Sequence, residues 1–232
     1  MARYALSRRD TVTATMPSGD TQVQVLGRTA FVTLSWVASD TGAKVTATID
    51  SVVADSGLTG LFTMLDSARN ARWEGFRGPG GHLTELAGGP KSLIGDQVRD
   101  QVRLLFPALP PDGAHPGAVW HDSTTATARV SAFDATETTQ SDYRAESLLT
   151  PTGALPITAL RMRTVTGEGT QFGQAMTVRA TGRDSLEYQV TPDGRVLLVQ
   201  GLRLTDLVVD VPDVGQSVPA HERTAFRMTL VR

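Results

Sequence analysis

The sequence contains no cysteine, which excludes disulfides, thiolate metal sites and cysteine nucleophiles. Lysine is nearly missing too: Lys44 and Lys91 stand alone among 22 basic residues, so arginine carries the positive charge. Neither sign of charge dominates, and a net charge of −2 creates no field that would draw nucleic acid or an anionic membrane. Aromatics are only 6% of the chain, so core packing claims most of them. No apolar run approaches the ~18 residues that a membrane-spanning helix needs. The chain opens Met1-Ala2-Arg3-Tyr4 and enters a strand-like pattern at once, without a signal-peptide pattern. Abundant threonine, scarce lysine and many short strands favour an exported protein, periplasmic, envelope-anchored or secreted, whose leader is absent from this chain. A cytosolic protein is the alternative.

What is present is mostly strand signal. Ala43, Val45, Ala47 and Ile49 alternate with Lys44, Thr46 and Thr48, the period of a half-buried strand. Ala30, Val32, Leu34 and Trp36 form a second set, and Asp40-Thr41-Gly42 predicts a hairpin between the two. Gln22 to Val25 alternates in the opposite phase, so Gly27 predicts a bulge. Two segments switch to helical spacing. Leu58, Leu61, Phe62, Leu65 and Ala68 predict a helix over 58–72, and Ile94, Val98, Val102 and Leu105 predict one over 92–106. Pro107 stops the second, and 107–116 reads as a rigid linker. Extended segments follow at 154–166, 174–180, 186–190, 196–202, 204–211 and 224–231, with Pro192-Asp193-Gly194 as a tight turn.

Residues 9–15 and 121–127 echo each other at an offset of 112, and two further matches keep nearly the same spacing. A half-buried sheet has to be covered, and the halves are unequal, which favours one shared core. The expected fold is therefore mainly β (α+β). It is a curved antiparallel sheet or open barrel in a single domain over 1–232, built from unequal repeats 4–106 and 117–232. The linker 107–116 joins them, and the first half supplies two short helices.

No chemical motif stands out. His115, His121 and Asp122 have no metal-motif spacing and read as a solvated loop, with Asp122 in a strand-start or turn role. Gly78-Pro79-Gly80-Gly81 lacks the strand and helix of a phosphate loop and reads as a hairpin turn. No Gly-x-Ser-x-Gly elbow or Ser-x-x-Lys motif exists, so no catalytic residue is assigned and the reading leans away from an enzyme. A hydrolase with carboxylates far apart in sequence stays as a third alternative.

The long strands, the amphipathic helices at 58–72 and 92–106, and the further strands resemble exported bacterial proteins built like the lipoprotein carrier LolA and its LprG-type lipid-binding relatives. The stretches Leu105-Phe106-Pro107-Ala108-Leu109-Pro110 and His115-Pro116-Gly117-Ala118-Val119-Trp120 also resemble a phrase of secreted β-rich families. The chain departs from the lipid carriers by its second strand set after the linker and by having no lipobox cysteine. The resemblance implies a non-enzymatic protein that shelters an apolar, lipid-like ligand, with no cofactor and no metal. The cavity would be lined by Leu58, Phe62, Leu65, Ile94, Val98 and Val102, with Trp73 and Trp120 at its rim. The alternative is an accessory or interaction subunit of an envelope complex, with a filled core, no ligand and a protein partner.

Overall fold

A computed structural model describes residues 1–16, 18–55, 65–78, 81, 83, 86–89, 92–110, 112–130, 133–171 and 173–231. Eleven strands form one antiparallel sheet: β1 (Ala2–Thr15), β2 (Thr21–Ser39), β3 (Gly42–Ala54), β4 (Arg72–Arg77), β5 (Ala87–Gly88), β6 (Val119–Val130), β7 (Phe133–Ala145), β8 (Leu155–Gln171), β9 (Gln174–Val190), β10 (Val196–Val211) and β11 (Gln216–Val231). Their order is β5-β4-β3-β2-β1-β11-β10-β9-β8-β7-β6, so the first and last strands pair in the middle. The two edges, β5 and β6, do not pair among the described residues, and the sheet stays open rather than closing into a barrel.

One helix is described, α1 (Leu93–Leu104). Ser92 caps it by accepting a hydrogen bond from the Gly95 N–H at 3.0 Å. Ile94, Val98 and Val102 recur on its buried face, and Pro107 forbids its continuation. The other predicted helix falls largely on 56–64, outside the described residues. Its predicted end is corrected: Leu65 and Asp66 are helical, Asn70 adopts a left-handed φ of 63°, and Arg72 already belongs to β4. A left-handed residue cannot continue a right-handed helix.

Helix α1 lies on the inner face, and one core cluster joins it to both wings of the sheet, from Trp73 on β4 to Tyr143 on β7. The sheet therefore curls around the helix. The segment 107–116 is more than a spacer, because Ala108 is buried in this core and its carbonyl accepts a hydrogen bond from Trp120 Nε1 at 3.0 Å. The ring of Trp120 stacks on Tyr143 with centroids 5.1 Å apart.

Gly27 makes no bulge. It pairs in register with Arg9, and the slip falls instead between Phe31 and Val32 against β3. The glycine serves a close approach: a Cβ there would overlap the Asp55 carboxylate. The extended segments expected at 174–180 and 186–190 are one strand, β9, and those at 196–202 and 204–211 are one strand, β10.

Candidate functional site

Strand pairing places inward-facing residues in rows across the sheet. One row in the core is mainly apolar: Phe226, Gly201, Leu186, Ala159, Tyr143 and Trp120 stand opposite one another from β11 to β6. The next row is polar from end to end. Asp10, Thr224, Arg203, Asp184, Arg161, Ser141 and Asp122 follow in register across β1, β11, β10, β9, β8, β7 and β6. A second row continues it with Glu222, Thr205, Gly182, Arg163, Thr139 and Thr124.

These inner charges are paired with one another. Arg8 holds Asp10 through Nε at 2.7 and 2.9 Å and reaches Glu222 with Nη2 at 3.1 Å. Thr224 donates to Asp10 at 2.7 Å. Arg28, fully buried, adds a long contact of 3.5 Å to Asp10, while its Nε and Nη2 have no partner. Burial, and then the charge of Arg8, push the Arg28 guanidinium down to about 10. On the other wing Arg203 grips Asp184 at 2.9 and 3.0 Å, and Arg163 grips Glu137 at 2.9 and 2.7 Å. Burial alone would raise both carboxyls. For Asp184 the charge and hydrogen bonds of Arg203 outweigh burial, and for Glu137 those of Arg163 lower it to about 2. Both carboxylates stay ionised near neutrality, so neither can act as a general acid there.

Beyond the polar rows the inner face turns apolar again. Ala14, Ala220, Leu207, Ala180 and Val165 form one row across five strands. Val218, Val209, Val178 and Gly167 form the next. None of these side chains belongs to the core cluster around the helix, and Leu207, Val209, Val178 and Val165 are only half-buried. The outward face is different. Arg227 and Glu187 flank Gln200 there, and Arg9, Arg183 and Arg144 are exposed on neighbouring strands.

Two cavities open on the inner side. One of about 140 Å3 lies between α1 and the polar rows and is lined by Arg103, Arg161, Arg163, Arg203, Glu137 and Tyr188, among others. The other, of about 160 Å3, lies beside Tyr4, Trp36 and Arg77 and shares Phe106 with the first. Both fall short of the ~300 Å3 at which small-molecule pockets begin, so neither encloses an acyl chain.

Of the residues assigned to a cavity from sequence, Leu65, Trp73, Ile94, Val98 and Val102 come together as packed core under α1, and Trp120 packs against its edge. None of them lines either cavity. Leu58 and Phe62 lie outside the described residues. His121 sits on β6 with Nδ1 2.8 Å from Asp142, not in a loop, and Asp122 lies near the start of β6 and faces inward. No group of three or more His, Asp or Glu side chains suited to a metal occurs among the described residues. Sequence reasoning missed the polar rows, whose arginines and carboxylates pass for solvent positions.

No family model matches the sequence, and no curated protein matches it either. Among solved structures, Neisserial surface protein A covers 99% of this chain and 97% of its own length at 8% identity, with a TM-score of 0.26. A likeness that low carries no inference about fold or function.

Proposed function

We propose that this chain is a non-enzymatic exported or envelope protein that shelters an apolar, lipid-like ligand on the open end of its curved sheet. One observation carries the reading: two rows of small apolar side chains continue the inner face past the polar rows and are left half-covered, while the outer face carries charge. The neighbouring hairpins β1–β2, β10–β11 and β8–β9 all reach this end, so the rows form the floor of a trough rather than an isolated patch. Covering roughly 200 Å2 of such surface is worth about 5 kcal/mol at ~25 cal/mol per Å2, before the cost of association is subtracted. Titration with the fluorescent apolar probe N-phenyl-1-naphthylamine tests it. Wild-type protein is expected to give saturable emission. Val178→Asp and Leu207→Asp, which put a carboxylate on the trough floor, are expected to weaken binding about tenfold or more while the variants stay folded at the temperature of the titration. Unchanged titrations in both variants contradict the reading.

The second reading, an accessory subunit with a filled core and no ligand, is favoured by one outward feature. Leu160 and Met162 on β8 are 60% and 56% exposed, and Leu204 on β10 lies across Arg183 from Met162. On this reading wild-type protein gives no saturable probe emission, and Leu160→Lys with Met162→Lys breaks the complex with the partner.

A further inference from the structure

The cavity beneath α1 is lined by four arginines, Arg103 from the helix and Arg161, Arg163 and Arg203 from the sheet. Two of the sheet arginines are committed: Arg163 to both oxygens of Glu137, and Arg203 to both oxygens of Asp184. Arg161 is under-used. Its Nη1 stays 3.8 Å from Asp184, and its Nε is buried with no hydrogen-bond partner. A buried N–H without an acceptor is costly until one arrives. Arg163 and Arg203 each spend only Nε and Nη2 on their carboxylates, so each keeps an Nη1 edge in reserve.

The same cavity reaches the cross-strand row on which the apolar trough begins. Ala126 and Glu137 on its wall stand in register with Val165, Ala180 and Leu207, the first apolar row. Its volume of about 140 Å3 suits a phosphate or carboxylate, not a hydrocarbon chain. We infer that Arg161 anchors the anionic head group, a phosphate or carboxylate, of an amphiphile whose hydrocarbon lies along the trough; this rests on the proposed function above. Asp100, Asp122 and Glu137 also line the cavity, so its walls are not strongly positive. The recognition comes from directed N–H donors at close range, as in other arginine–oxyanion pairs, and not from a long-range field.

Calorimetric titration of the full chain with decyl phosphate, decanol and inorganic phosphate tests this. Decyl phosphate is expected to bind about tenfold or more tighter than decanol, a gap that Arg161→Gln closes and Arg161→Lys closes only in part. Ser141 stands opposite Arg161 on β7, so Ser141→Asp supplies an internal anion. It is expected to close the gap with Arg161 still present, which covers the case in which Arg161→Gln does not fold. Equal binding of decyl phosphate and decanol to wild type overturns the head-group site and leaves the trough reading standing. Inorganic phosphate binding as tightly as decyl phosphate also overturns it, in favour of a free-anion site. Binding of neither alkyl compound ends both.

Discussion

Arg203 and Asp184, opposite one another on β10 and β9, form a two-pronged ion pair in which the carboxylate is completely buried. Removing the arginine leaves a charge that water cannot reach. Arg203→Met is therefore expected to cost about 3–5 kcal/mol in urea unfolding, since Arg161, 3.8 Å from the carboxylate, makes no hydrogen bond to it. Arg203→Met together with Asp184→Leu is expected to recover most of that loss.

The pairing of Glu137 with Arg163 makes stability depend on acid. The folded carboxyl titrates at about 2, below its ordinary value of 4.5, so the unfolded chain takes up the proton first. Its stabilisation is complete above pH ~5 and is lost as pH falls towards 2. Melting temperatures recorded from pH 7 to 2.5 are expected to fall less steeply for Glu137→Gln than for wild type. Parallel curves would show that the pair contributes nothing.

Arg8 and Arg28 share one carboxylate unequally. Arg8 binds Asp10 and Glu222 at short range, whereas Arg28 keeps two nitrogens unpartnered in full burial. Arg8→Met is expected to destabilise by about 3–5 kcal/mol, and Arg28→Met to lie within about 1 kcal/mol of wild type or above it. Chemical denaturation of the two variants decides, and equal losses would contradict this assignment.

Gly201 on β10 lies against β9 with no room for a side chain. A Cβ there would sit 2.3 Å from the Ser185 carbonyl oxygen and 2.9 Å from a methyl of Leu186. Gly201→Ala is expected to cost about 1–3 kcal/mol through overpacking, read as a lower melting temperature, although alanine suits the strand backbone itself.

Much of the fold was legible in the sequence where the two faces of an element differ in polarity. Ala43 to Ile49 announces β3, and Ile94, Val98 and Val102 after Ser92 announce α1. The polar rows erase that contrast. Asp184 and Arg203 face inward at positions where alternation expects an apolar residue, so β9 and β10 each read as two shorter strands. The site is hidden by the same substitution, because a carboxylate on a strand normally signals solvent, whereas Asp184 is wholly buried. A signal did exist: Asp10 and Asp122, 112 residues apart in the echoed segments, both turn inward in the same row. The reason for Gly27 is long-range, since nothing near it in sequence reveals the approach of Asp55.

Native mass spectrometry of protein incubated with palmitate and then freed of excess decides whether the trough floor holds an apolar ligand. A one-to-one adduct is expected, which Val178→Asp and Leu207→Asp abolish and which Val102→Ala, a change in the packed core, leaves in place. A bare mass after incubation, or an adduct that survives in both aspartate variants, would contradict an apolar ligand on the trough floor.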